Sequence, residues 1–219
     1  MVQIQSPRPI KITQARLLLL SLFIGGAYLI GSVPIGVLIG RARGFDPRAV
    51  GSGNIGMTNV ARAGGKGPAA ITFAGDVLKG LVPVLAARYA GFGHRELALV
   101  GFAAFIGAIS SIFLRFNGGR GVSAALGIWL GLAPLPILFV IGVFGAFLVT
   151  TRIVSLASII AAIALPAAVA AAHCPHSYLL LAIVISALVL LRHHENIRRL
   201  IDGTEPKIGD RKPTGSNAA

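Results

Sequence analysis

The amino-acid sequence predicts an all-α, polytopic membrane bundle of seven transmembrane helices, two of them short, with the N-terminus outside and the C-terminus cytoplasmic. Three observations carry this expectation. Apolar residues make up 55% of the 219 positions and charged residues only 12%, where soluble domains carry about a quarter charged. The apolar residues gather in long runs near 17–40, 69–91, 97–114, 122–133, 136–150, 153–172 and 177–191, and the mean hydropathy is +0.81. The basic residues fall mainly in the short breaks between those runs.

The first run, LLLLSLFIGGAYLIGSVPIGVLIG, follows Arg8, Lys11 and Arg16 as the core of a secretory signal would. It lacks a small-residue cleavage site and reads as a retained span over 17–40. The second run carries Asp76 and Lys79 at i, i+3 spacing, where an unpaired charge in hydrocarbon is costly and mutual pairing is expected. Pro134 and Pro136 divide the stretch 122–150, which is either one bent crossing or two short helices folded back at APLP. With two helices there, the breaks at 41–68, 115–121 and 151–152 and the tail from 192 share one side. That side holds fourteen Lys and Arg against five on the other, so it is assigned to the cytoplasm. The net charge of +13 is then explained by anionic lipid headgroups and calls for no nucleic acid. Cys174 is the single cysteine, which excludes an intrachain disulfide and a cysteine-rich metal cage. Residues 1–208 form one transmembrane domain in this reading, and the polar tail 209–219 is expected to be disordered.

Three polar loops on the inner side carry the candidate chemistry. The first is GSGNIGMTNVAR, 51–62. Its glycines match a dinucleotide fingerprint, but the required strand–turn–helix context with a downstream acid is absent. Gly53 and Gly56 alone would be explained by a turn or a close helix approach. Ser52, Asn54, Thr58, Asn59 and Arg62 add hydroxyl, amide and guanidinium donors, and with glycine-turn N–H groups these make an anion site. The second loop, FNGGRGVSAALG, places Gly118, Gly119 and Gly121 around Arg120 directly before a helix, whose N-terminal N–H groups attract phosphate. The third, RHHENIRRLIDGTEPKIG, sets His193 and Asn196 at i, i+3 on one helical face. His194-Glu195 fails the H-E-x-x-H zinc pattern because Arg198 stands where the second histidine belongs. His173 and His176 have a ligand-like spacing but lie on the opposite side with no carboxylate partner.

Taken together, GSGNIGMTNVAR, FNGGRGV and RHHENIRRLIDGTEPK, in this order and separated by spans, resemble the three motifs of the bacterial acyl-phosphate:glycerol-3-phosphate acyltransferases, the PlsY family. GSVPIGVLIGR at 31–41, DPR at 46–48 and DVLKG at 76–80 extend the resemblance over most of 31–208. It implies an enzyme of the bacterial cytoplasmic membrane, active on the cytoplasmic face, that transfers a fatty acyl group from acyl phosphate to the 1-hydroxyl of glycerol 3-phosphate. The products are lysophosphatidic acid and inorganic phosphate, and neither a metal nor an organic cofactor is needed. Carried over residue by residue, the resemblance implies roles for Ser52 and Arg62, for Gly118, Gly119 and Arg120, and for His193, Asn196, Glu205 and Lys207. Ser52, Arg62, His193 and Asn196 are taken as the catalytic set, and Gly53, Asn54, Thr58, Asn59, Gly121 and the remaining residues as phosphate-binding. Two positions depart from the family pattern: Arg120 stands for the usual lysine and Ala108 for the usual histidine. His193 and a substrate phosphate oxygen both remain open as the acceptor of the hydroxyl proton. The rival reading is a small transporter of an organic phosphate or another anion.

Overall fold

The computed structural model describes residues 9–210, with side chains from Thr13 onward, and every regular element among them is helical. Ten α-helices follow one another: α1 (Pro9–Ser32), α2 (Ile35–Ala42), α3 (Met57–Gly64), α4 (Lys66–Tyr89), α5 (His94–Ile109), α6 (Val122–Leu132), α7 (Pro134–Thr151), α8 (Val154–Ala171), α9 (His176–Arg192) and α10 (His194–Ile201). The disorder expected for the tail falls mostly on 211–219, outside the described residues. Gly209 and Asp210 are the last residues described.

Each of the seven apolar segments folds as helix; the one at 122–133 is short, as expected, whereas the one at 136–150 reaches 18 residues as α7. Five stretches are long and apolar enough to cross a bilayer, and α9 joined to α10 across a 59° bend would make a sixth. The 11 residues of α6 extend only about 16 Å at 1.5 Å per residue, half of a hydrocarbon core. A helix this short can stop inside the protein because Arg88 of α4 donates to the Leu132 carbonyl at 3.1 Å, satisfying an orphan acceptor at its C-terminus. The stretch 122–150 is therefore two helices separated at Ala133, where Pro134 opens α7.

The single span expected over 17–40 is also divided. Pro34 has no N–H to continue the ladder, so α1 ends at Ser32 and α2 starts at Ile35. The Val33 carbonyl freed at the break accepts from the Lys79 ammonium at 3.3 Å. Lys79 also pairs with Asp76 at 2.8 Å, as the spacing predicts, with both side chains largely buried.

In lipid, apolar surface gives helices little reason to associate, and close packing must do so. Two glycine pairs provide it. A Cβ on Gly31 of α1 would meet the Ala104 carbonyl of α5, and one on Gly107 of α5 would meet the Tyr28 carbonyl of α1. The same reciprocity joins Gly80 of α4 to α6 at Ala124, and Gly127 of α6 to α4 at Val77. Two backbone-to-backbone seams thus fix α1 on α5 and α4 on α6, while α7 packs on α8 and α8 on α9. The polar loops after α2, α5 and α9 emerge at one end of this frame.

Candidate active site

The first loop is wound around a single side chain. Asn59, in the first turn of α3, is buried, and its Nδ2 donates to the carbonyls of Pro47 (2.6 Å), Val50 (2.9 Å) and Asn54 (2.8 Å). Its Oδ1 accepts the Ser52 N–H at 3.1 Å. Gly51 and Gly53, with φ of +59° and +67°, turn the chain on either side of Ser52, and a Cβ at 51 would lie 2.6 Å from Asn59 Oδ1. Asn54 Oδ1 accepts from the Gly56 N–H at 3.1 Å. The phosphate contact expected of Asn59 is corrected by this geometry: its amide is consumed by four backbone groups, because a buried amide is held by the acceptors around it. Ser52, Asn54, Thr58 and Arg62 line the cavity beside it. Gly53 does not line it, and so serves the turn.

The second loop departs from expectation more sharply. The N–H groups of Gly118 and Gly119 donate to the last carbonyls of α5, Ile109 O at 3.2 Å and Ala108 O at 3.0 Å. They are not free to cradle an anion. The carbonyls of the same two glycines accept from Arg192, Gly118 O from Nη2 at 2.8 Å and Gly119 O from Nε at 3.2 Å. The loop is thereby clamped between the ends of α5 and α9, and Arg120 is presented into the cavity with Gly121 (φ +80°) starting α6. No side chain caps α6, and its first residues, Val122 to Ala124, line the cavity. The N–H groups at the start of α6 remain to attract an anion. Burial lowers the pKa of Arg120, opposed by the attraction of Glu205. An arginine nevertheless stays charged.

The third loop supplies a buried polar pair. His193 sits in the break between α9 and α10, buried, with Nδ1 2.7 Å from the Val189 carbonyl. A carbonyl can only accept, so Nδ1 carries the proton and Nε2 keeps its lone pair. Burial pushes the His193 pKa down to about 4, against the raising effects of the Val189 bond and of Glu205, and it is neutral at physiological pH. Asn196, buried on the same face, donates from Nδ2 to Glu205 Oε1 at 2.6 Å, while its Oδ1 is buried without a protein donor.

Glu205 is a hub and not an anion ligand. Its carboxylate accepts from Ser155 Oγ (2.6 Å), Asn196 Nδ2 (2.6 Å) and Arg199 Nε (2.7 Å). Burial raises its pKa, but these three donors outweigh it and the net shift is downward. The phosphate contact expected of Glu205 is thus corrected, for a carboxylate repels phosphate and this one is fully engaged. Lys207 lines the cavity with no partner for its ammonium among the described residues, as do the guanidinium groups of Arg62 and Arg120.

All three loops meet in one cavity of about 1080 Å³. Its polar end holds Ser52, Arg62, Arg120, His193, Asn196, Arg199 and Lys207, and the Asp76–Lys79 pair stands in its wall. The rest is an apolar arm between α6, α7, α8 and α9, lined by Trp129, Val140, Phe144, Leu165 and Ile185 among others. Ala108 also lines it, so the position lacking the usual histidine faces the site with only a methyl group. Among the described residues no group of three or more His, Cys, Asp or Glu is arranged to hold a metal. His176 lies at the start of α9, the helix's length away from His193.

Sequence reasoning missed Arg199, Ser155 and Arg192. Arg199 stood three residues from Asn196, on the same helical face, and that spacing was a usable signal. Ser155 and Arg192 carried none, since their partners are remote in sequence.

Residues 21–203 match the family model described as glycerol-3-phosphate acyltransferase. The chain belongs to the glycerol-3-phosphate acyltransferase family. The glycerol-3-phosphate acyltransferase of Geobacter sulfurreducens is 51% identical over 182 residues, covering 83% of this chain and 94% of the relative. The relative from Synechococcus sp. is 44% identical, with 89% and 96% covered. Among solved structures, the glycerol 3-phosphate form of PlsY (YgiH), an integral membrane acyltransferase, superposes with a TM-score of 0.83 at 40% identity, covering 87% of this chain and 96% of that one. Its lysophosphatidic acid form gives 0.81 at 39% identity, with 87% and 95% covered. The resemblance read from the three motifs is confirmed, and with it the all-helical membrane acyltransferase fold.

Proposed function

We propose that this acyltransferase moves a fatty acyl group from an acyl phosphate to the 1-hydroxyl of glycerol 3-phosphate, at the cytoplasmic face of a bacterial inner membrane. The observation that carries the reading is one cavity with unpaired cations at one end and an apolar arm at the other. An acyl phosphate has that profile, a dianionic head on a hydrocarbon tail. Each methylene moved from water contributes about 0.8 kcal/mol, although a donor already dissolved in the bilayer has gained most of this beforehand. Discrimination therefore falls to the polar end.

Glycerol 3-phosphate brings a second anion, and two phosphoryl groups side by side repel. Arg62, Arg120, Arg199 and Lys207, gathered at one end of the cavity by the fold, offset that repulsion and orient the reactants. The two unengaged acceptors, Asn196 Oδ1 and His193 Nε2, suit the glycerol hydroxyls, and Ser52 suits a phosphate oxygen. The hydroxyl oxygen attacks the acyl carbon, the bond from that carbon to the phosphate oxygen breaks, and phosphate leaves with the electron pair. A histidine with a pKa of about 4 is a weak base at neutral pH. A phosphate oxygen, with a second pKa near 6, is the stronger one. His193 thus accepts a hydrogen bond from one glycerol hydroxyl while a phosphate oxygen takes the proton of the attacking one.

The sidedness rests on the basic residues, since the loops that build the site also carry most of the arginines and lysines. Purified protein in lipid vesicles, given both substrates, is expected to release phosphate and form lysophosphatidic acid. Neither product should form when one substrate is omitted. Uptake of glycerol 3-phosphate without turnover would replace this reading with the transporter.

A further inference from the structure

The turn between α7 and α8 contains an unexplained arginine. Arg152 ends α7 in the left-handed conformation, φ 61° and ψ 17°, a place that favours glycine and disfavours any residue with a Cβ. Backbone strain of this kind persists where something else over-determines it. Here the residue grips the C-terminal segment twice. The Arg152 carbonyl accepts the Ile208 N–H at 2.7 Å, and its Nη2 donates to the Ile208 carbonyl at 2.7 Å. One turn further on, Ser155 donates to Glu205. Residues 205–208 are thus a strap fastened at one end to Ser155 of α8 and at the other to Arg152 in the α7–α8 turn, and the residues between the fastenings, Pro206 and Lys207, line the cavity.

We propose that Arg152 is a positioning residue for acyl transfer: by holding Ile208 through its backbone and its guanidinium, it fixes the strap that presents Lys207 to the glycerol 3-phosphate anion. This rests on the proposed function for its substrate, but the fastening is a property of the chain itself. Arg152 touches no reacting atom. It acts through Lys207, whose ammonium has no acceptor among the described residues and depends on the backbone beneath it for its place.

Arg152→Gly is the informative variant, because it relieves the left-handed strain while removing the guanidinium. Its unfolding midpoint is expected to equal or exceed the parent's. Its KM for glycerol 3-phosphate is expected to rise roughly fivefold to tenfold with kcat within about twofold, the scale of one ordinary hydrogen bond lost from beneath a binding element. Arg152→Lys, which keeps one donor, gives an intermediate KM. In a Lys207→Ala background the glycine variant adds nothing further, since the two act as one unit. A readout independent of activity is tryptic cleavage of the Lys207–Ile208 bond, followed by mass spectrometry of the full chain. Both backbone groups of Ile208 are engaged in the parent, so cleavage there is slow, and it accelerates in Arg152→Gly.

A glycine variant with parental KM and parental cleavage overturns the proposal. So does a variant that loses midpoint and kcat together, which would make Arg152 a residue of the fold alone. Absence of acyl transfer in the parent would end the functional reading, and with it the role in acyl transfer, and the cleavage assay would still decide whether Arg152 holds the strap.

Discussion

The two glycine loops look alike in sequence and are fastened in opposite ways. GSGNIG is held from within, by Asn59, whose amide engages four backbone groups between Pro47 and Asn54. NGGRG is held from without, the N–H groups of Gly118 and Gly119 spent on the carbonyls that end α5 and the carbonyls of the same two glycines on Arg192 at the end of α9. The first loop is a local structure that needs one side chain a few residues away. The second exists only once three helices have assembled. Glycine in the first serves left-handed turns, while in the second Gly118 serves close approach, for a Cβ there would lie 2.5 Å from the Ala108 carbonyl oxygen.

The sharpest way to break this contrast is Asn59→Ala. Four backbone groups lose their partner at once, and stability should fall by roughly 3 kcal/mol with activity down more than about a hundredfold. Thermal unfolding in detergent together with a phosphate-release assay reads both. Near-normal activity would show that the first loop is not wound on Asn59. Gly118→Ala comes next, with kcat/KM down by about tens of fold as the loop shifts away from α5, at the 1–3 kcal/mol scale of overpacking. Arg192→Gln removes both clamping donors and should lower kcat/KM roughly tenfold while leaving the first loop intact. If Arg192→Gln matched the parent, the external clamp would be incidental.

A smaller effect separates the third loop from both. His193 has a folded-state pKa of about 4 against 6.5 for an unperturbed histidine. Between those values the unfolded chain binds the extra proton, so this group's contribution makes stability fall as pH drops from 6.5 towards 4, levelling off below. His193→Gln should flatten that part of the stability profile, and the activity profile near neutrality should stay in place because a substrate phosphate titrates there. A moved activity profile would return His193 to the role of base. The smallest change is expected of Gly119→Ala, where an added Cβ meets only ordinary contacts at 3.6 Å and φ is permissive. A change below about threefold in kcat/KM fits surface-like tolerance; a loss as large as that of Gly118→Ala would erase the distinction between the two glycines.

Much of the site was legible because charged and polar residues are expensive beside lipid and rare in this chain, so Ser52, Arg62, Arg120, His193, Asn196 and Lys207 stood out. What each does was less legible. Asn59 and Glu205 have the chemistry of ligands and turn out to hold other residues in place, since a buried amide or carboxylate is used up by whatever backbone and side chains surround it. Arg152, counted only for its charge, fastens a strap 56 residues further on. The span over 17–40 was misjudged at Pro34, where the apolar pattern continues across a break that a neighbouring donor makes tolerable.

The sequence by itself determined the solvent, the helical class, the three polar loops and their family resemblance, because hydropathy and residue chemistry are local properties that no partner can change. Tertiary structure alone decided which carbonyl each glycine loop would lean on, which polar groups would be left unengaged at the polar end, and how short a helix could end inside the bundle. Those depend on hydrogen bonds between residues tens of positions apart, and a buried donor chooses its acceptor only after the helices carrying them have packed.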